Sequence, residues 1–216
     1  MIYDSGIWKI ELKEKTDNFR QLISETEFSA DWYFDEEEDG WTGSYKFFIE
    51  FQKYCFYSSV ITRKFLESNR LSDEQIGANY SVSYFKRKTE KILTKENFES
   101  IEDEYDMTNE LKKNLNVEKI CHLFIHSFIF NPKLIEYKID KSLPDDDIEN
   151  WEIDGISGLY VNTDYSKEKE IYYLDLKFIT NFFEEISNDN IMYYSEDRLT
   201  GKIIRSRNGP NEKLKK

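Results

Sequence analysis

The sequence is poor in the residues that build loops, disulfide bonds and metal sites. Its 216 residues include only eight glycines, three prolines, two cysteines and two histidines. So few glycines and prolines exclude a low-complexity or linker-rich protein, and the sequence contains no glycine-rich phosphate-binding motif, no G-x-S-x-G motif and no C-x-x-C pair. Cys55 and Cys121 each lie in an apolar stretch, which predicts buried, reduced thiols and a cytoplasmic location.

Long apolar runs are also missing. The longest, Ile120 to Phe130, has 11 residues and contains both histidines, whereas a membrane helix needs about 20 apolar residues. Residues 1–10 have no basic stretch followed by an apolar one, so no signal peptide is predicted. We therefore expect no contact with a membrane.

Acidic and aromatic residues are abundant. There are 43 acidic and 30 basic residues, a net charge of −13, together with 16 Phe and 15 Tyr. A field of this sign attracts basic partners. The first functional hypothesis is therefore an acidic interaction module that docks on a basic protein partner, and salt-sensitive association with such a partner is the measurement that tests it. Its predicted partner-binding residues flank or form acidic runs: Trp32, Asp35, Glu36, Glu37, Glu38 and Trp151.

Helical periodicity dominates the first 131 residues. A helix is expected from Ser5, with a break near Asp17, and a second from Ser44 to about Asn69, where apolar residues recur at steps of three and four. Ser72 and Gln75 form a capping box. Residues 80–93 fit either a strand or a helix, and residues 100–106 are expected to form an acidic loop. Leu111, Leu115 and residues 117–130 are expected to form a buried helix.

After Pro132 the hydrophobic period changes to two. Residues 152–163 and 170–176 are predicted to pair as a hairpin, residues 178–186 to form an amphipathic helix, and residues 191–205 to form a final hairpin. The predicted fold class is α+β, an N-terminal helical bundle followed by a small antiparallel sheet with one packed helix. The predicted divisions are a helical subdomain (1–131), a β-hairpin and helix subdomain (132–209) and a frayed basic tail (210–216).

His122 and His126 are the two histidines, and their spacing places both imidazoles on one face of a helix. No third ligand is marked by spacing, so neither a metal nor another cofactor is predicted. Two interpretations of the histidine pair are open. In the structural interpretation the two side chains form hydrogen bonds in the core. In the catalytic interpretation Arg63, Glu67 and His126 supply a cation, a carboxylate and a base, which would suit metal-independent cleavage of RNA.

Two segments carry a family resemblance. R-K-F-L-E-S-N-R-L-S-D-E (63–74) and C-H-L-F-I-H-S-F-I-F (121–130) resemble an uncharacterised group of bacterial proteins with the patterns R-K-[LI]-x-E-[SA], L-S-D-E and C-N-x-x-I-H-S-[YF]-x-F. His122 departs from this group, which more often has Asn there, and the departure argues against an essential metal ligand.

The helical half and the I-H-S segment also resemble HEPN-type domains, many of which are ribonucleases of toxin and phage-defence systems. Their motif is R-x(4–6)-H on one helix, but this chain has Lys119 ahead of His126 and no arginine there. The loss of a guanidinium puts catalysis by that motif in doubt. In this interpretation Arg63, from another helix, takes the place of the missing arginine.

Overall fold

Two long helices precede the sheet. The computed structural model describes residues 5–28, 43–98, 100–139 and 151–208, with only the backbone at position 151. Helix α1 spans Ser5–Glu25 and α2 spans Gly43–Glu67. α1 runs without the break expected near Asp17, because Thr16 is buried against α2, with its hydroxyl 3.0 Å from that of Tyr54.

The strongest helical prediction is confirmed. The residues of α2 at steps of three and four, including Phe47, Phe51 and Phe65, are buried. The helix ends where Asn69 adopts a left-handed conformation (φ 57°) and the N–H of Arg70 donates to the carbonyl of Phe65 at 2.8 Å. The predicted cap at Ser72 also forms, since its side chain accepts a hydrogen bond from the N–H of Gln75 and begins the short α3, Asp73–Ile76.

A five-stranded antiparallel sheet forms the centre of the described fold. Its strands lie in the order β2-β1-β5-β4-β3. The bounds are β1 Asn79–Lys86, β2 Leu111–Asn116, β3 Ser127–Lys138, β4 Trp151–Thr163 and β5 Glu170–Asp175. The predicted hairpin of β4 and β5 is confirmed, and the ambiguous segment after residue 79 begins as a strand.

The remaining elements are short helices and a second hairpin. They are α4 Ile101–Glu104, α5 Val117–Ile125, α6 Leu176–Ser187, β6 Tyr193–Glu196 and β7 Ile203–Ser206. α6 and the β6–β7 hairpin match the predictions for those segments. The expected loop at 100–106 instead contains the helical turn α4, whose first turn is capped by the side chain of Ser100.

The prediction of one helix through Leu111, Leu115 and residues 117–130 is wrong on both sides of α5. Leu111 and Leu115 lie on β2, which pairs with β1. α5 ends at Ile125, and residues from Ser127 onward pair with β4. A register irregularity lies between Ser127 and Ile129, where the N–H of Ile129 donates to the side chain of Asn162 at 3.1 Å. The predicted boundary between a helical subdomain and a β subdomain lies between residues 131 and 132, inside β3. The sheet also includes β1 and β2 from before that boundary, and β1 pairs with β5 from after it.

Residues 210–216, the predicted tail, lie outside the described residues.

Two apolar clusters lie on opposite faces of the sheet. Side chains from α1, α2, α5 and α6 pack on one face, against residues such as Val82, Leu159 and Leu174. The neighbouring residues on the same strands point the other way, and there Phe85 and Ile171 pack with Leu93, Ile101 and Tyr105. The helices and the sheet thus share a core, which confirms the α+β class.

Candidate functional site

Helices α2 and α5 pack against each other and bring the two distinctive sequence segments together. The apolar side of α5 is buried, and its Cys121 is a free thiol whose pKa burial raises to about 12. Cys55 on α2 is also free and buried. Neither thiol is available as a nucleophile, so the chemistry of this region depends on the polar side chains at the edge of the helix pair.

Arg63 and Glu67 form the ion pair that their spacing predicts. Arg63 Nε lies 3.1 Å from Glu67 Oε1, and Lys64 Nζ lies 2.7 Å from Glu67 Oε2. The hydrogen bond from Lys64, and then that from Arg63, lowers the pKa of Glu67, so this carboxylate is ionised at neutral pH. Both side chains are about half exposed, at 48% for Arg63 and 47% for Glu67. The guanidinium is thus held at the surface through Nε, and its terminal nitrogens make no hydrogen bond with the described residues.

The two imidazoles lie side by side at the end of α5. Their ring centroids are 4.6 Å apart and the ring planes are tilted by 47°. His122 is half-buried on the helix, whereas His126 is exposed and follows the helix, with its N–H donating to the carbonyl of His122 at 3.0 Å. The expectation that both histidines lie partly buried on one helix is therefore wrong for His126, because the chain turns from α5 into β3 at that residue.

The pKa of His122 is lowered from its ordinary value. Burial is the main cause, and the neighbouring His126 and the guanidinium of Arg63 add to it, while Glu118 opposes them. His122 is therefore neutral at pH 7 and can donate or accept a hydrogen bond there. Arg63 lies on α2, which packs against α5, and its charge therefore acts on His122.

A small pocket of about 110 Å³ adjoins His122. Its charged residue is Lys119, and no carboxylate lines it; Thr163 and Ser166, from the turn between β4 and β5, form part of its wall. The pocket and the exposed Arg63 make this surface locally cationic in a chain of net charge −13. A cationic pocket lined by hydroxyl groups suits an oxyanion such as a phosphate.

Sequence reasoning found Arg63, Lys119 and the histidines but missed the turn residues. Thr163 and Ser166 carry no motif, and only the strand order places them beside His122. Sequence reasoning also missed a larger cleft of about 510 Å³ between α1 and α2, which is lined by Phe19, Leu22, Tyr54, Phe56 and Tyr57 among others.

The residues of the acidic-docking hypothesis cannot be placed in this geometry. Trp32, Asp35, Glu36, Glu37 and Glu38 lie outside the described residues, as does the side chain of Trp151. The hypothesis that they bind a basic partner stays a prediction.

The part of the chain that the structure describes contains no group of three or more His, Cys, Asp or Glu side chains placed to share a metal ion. Among the same residues, no helix has both the length and the apolar character that crossing a bilayer requires.

No protein-family model matches this chain, and comparisons with curated proteins and with solved structures find no match either.

Proposed function

We propose that the surface formed by α2 and the end of α5 binds RNA and cleaves it without a metal ion. The observation that carries this proposal is the contact of the His122 and His126 rings beside the pocket of Lys119, on a helix that packs against α2, the helix of Arg63. A phosphodiester backbone offers negative charge to Arg63 and Lys119, whereas most of the acidic protein repels it. Binding is therefore confined to this surface.

Each side chain has a separate role. His126, the more exposed imidazole, accepts the proton of a ribose 2′-hydroxyl, and the 2′-oxygen forms a bond to phosphorus. The bond from phosphorus to the 5′-oxygen breaks, and that oxygen takes a proton from water. The products are a 2′,3′-cyclic phosphate and a 5′-hydroxyl, so DNA, which lacks the 2′-hydroxyl, is not cleaved.

Arg63 and Glu67 act on the phosphate. The guanidinium stabilises the charge that develops on the phosphate oxygens, and Glu67 positions it by holding Nε. The neutral His122 hydrogen-bonds a phosphate oxygen, a task that an asparagine side chain also performs. Lys119 and the pocket hydroxyls hold the neighbouring phosphate.

The test is cleavage of an end-labelled single-stranded oligoribonucleotide, with EDTA present and the matching DNA as control. We expect the wild type to cleave only RNA, and His126→Ala to lower the rate by about 10²–10⁴-fold. Arg63→Ala should lower it by about 10²–10³-fold.

Lys53→Ala is the matched control, since Lys53 is an exposed lysine of α2 in an ion pair with Glu50 at 2.6 Å. It should cleave like the wild type. Circular dichroism establishes that all variants are folded. Absence of cleavage by the wild type, or equal rates for all variants, would reject the proposal.

A further inference from the structure

The face of the sheet opposite the helices contains a second, separate pocket. The segment that follows β1 covers part of this face with Leu93, Ile101 and Tyr105. A neighbouring region stays open and forms a pocket of about 270 Å³. That volume is close to the lower limit of about 300 Å³ for ligand pockets, so it suits a small molecule rather than a polymer.

The strand register brings polar residues from all five strands to this pocket. Ser83 on β1 is paired with Lys112 on β2 and with Tyr173 on β5, and Tyr173 is paired with Tyr160 on β4. One row along, Gly158 on β4 lies between Lys133 on β3 and Asp175 on β5. In this second row a cation and a carboxylate flank a residue without a side chain.

Gly158 is required by the close approach of the β5 backbone, and the Tyr173 ring also lies against it. A Cβ atom at position 158 would lie 2.8 Å from Cε2 of Tyr173 and 2.5 Å from the carbonyl oxygen of Leu174. The glycine lets the Tyr173 ring lie over β4, where it forms an aromatic surface in the pocket. Lys133 Nζ lies 5.0 Å from the centroid of that ring and 5.8 Å from the centroid of Tyr160.

Two groups in the pocket, the hydroxyl of Tyr160 and the ammonium of Lys133, are positioned to bind an anion. Tyr160 is only 7% exposed, yet its hydroxyl makes no hydrogen bond within the described part of the chain. The hydroxyl oxygen itself stays accessible at the pocket wall, so it can donate to an anion that enters the pocket. The ammonium group of Lys133 forms no ion pair with the described carboxylates. In contrast, Lys112 is held by Glu110 at 2.6 Å and by Ser83 at 2.7 Å.

The pocket also contains negative charge. Glu110 has its pKa lowered chiefly by the hydrogen bond from Lys112, so it is ionised at neutral pH. Asp175 uses one oxygen to cap α6, accepting from the N–H of Phe178 at 2.7 Å, and its other oxygen has no described partner. A dianionic ligand would be repelled by these two carboxylates, whereas a molecule that carries both charges finds a partner for each.

We propose that this pocket binds a free α-amino acid, a small zwitterion with a carboxylate next to an ammonium group. Its carboxylate accepts hydrogen bonds from Lys133 and from the Tyr160 hydroxyl. Its ammonium group donates to Asp175 and Glu110, and its side chain lies on the Tyr173 ring. The pocket is independent of the proposed RNA site, which lies on the helical side of the sheet.

The experiment is isothermal titration of the full-length protein with each of the twenty common amino acids. We expect one or a few to bind, with affinity reduced about 10–100-fold by Tyr160→Phe, which removes a single hydrogen bond to a charged group. Lys133→Ala should lower it at least as much. The matched control is Tyr165→Phe, which alters a tyrosine that is 86% exposed and outside the pocket.

Two further titrations test the zwitterion. The amine that lacks the carboxylate and the N-acetyl derivative that lacks the ammonium should each fail to bind. The proposal is overturned if no amino acid binds, if Tyr160→Phe binds like the wild type, or if either derivative binds as tightly as the amino acid. RNA cleavage should be unchanged in Tyr160→Phe, so the two proposals fail separately.

Discussion

At the scale of single residues, the behaviour of His122 depends on neighbours that are distant in sequence. Arg63 lies on α2, 59 positions earlier, yet its charge contributes to the low pKa of His122. The neighbouring His126 acts in the same direction, and burial has the largest effect. The neutral state of His122 is therefore a property of the packed helix pair and not of the H-x-x-x-H spacing.

Removing the Arg63 charge should raise the pKa of His122. In Arg63→Ala the imidazolium of His122 no longer faces a nearby positive charge, so protonation becomes easier. The shift is measured by following the imidazole resonances of His122 against pH by NMR. Lys53→Ala, which removes a distant cation from the same helix, should leave the titration unchanged. An unchanged or lower pKa in Arg63→Ala would show that the guanidinium does not act on this surface.

At the scale of elements, a buried carboxylate joins parts of the chain that are far apart. Asp189 is fully buried after α6, and its oxygens accept from the N–H and the hydroxyl of Ser72 at 2.7 and 2.6 Å. Arg207, just after β7, lies 2.6 Å from the same carboxylate. The buried Lys9 of α1 donates to the backbone carbonyl of Asp189. One side chain thus connects the start of α3, the end of α6 and the last hairpin.

Asp189→Ala should destabilise the fold by about 3–5 kcal/mol, because it removes the negative charge beside the buried Lys9, the ion-pair partner of Arg207 and the acceptor of both Ser72 donors. The measurement is urea unfolding followed by circular dichroism. The matched control, Glu50→Ala, breaks an exposed pair with the same 2.6 Å separation, and it should cost less than about 1 kcal/mol. Equal losses for the two variants would mean that Asp189 does not join these elements.

At the scale of the whole molecule, buried tyrosines make the fold sensitive to alkali. Burial is the main cause that raises the pKa values of Tyr105, Tyr160 and Tyr172 to about 12. In the unfolded chain the same groups lose their protons near pH 10. Between these values the folded state holds more protons than the unfolded state, so the free energy of unfolding falls as pH rises.

We therefore expect the urea midpoint to fall between about pH 9 and about pH 11.5, with a total loss of a few kcal/mol. Tyr160→Phe should make this fall less steep, since it removes one of the shifted groups. Tyr165→Phe removes a tyrosine that is 86% exposed and should not change the slope. A midpoint that stays constant over this range would contradict the raised pKa values.

Local patterns in the sequence were sufficient for the elements whose period is clear. The spacing of Phe47, Phe51 and Phe65 predicts α2, and the alternation on either side of the polar turn predicts the β4–β5 hairpin. The same patterns predict the α+β class. They also single out Arg63 and the histidine pair, because these polar residues stand in or beside long apolar segments.

Tertiary structure decided the rest, for a physical reason. A short apolar run such as Phe128 to Phe130 can be buried equally well in a helix or a strand, and pairing with β4 determines that it is a strand. The order β2-β1-β5-β4-β3 pairs residues up to 90 positions apart, as Ser83 with Tyr173, and no local pattern encodes such pairings. The same strand order brings Ser166 to His122 and Lys133 to Tyr160, so both candidate sites exist only in the folded chain.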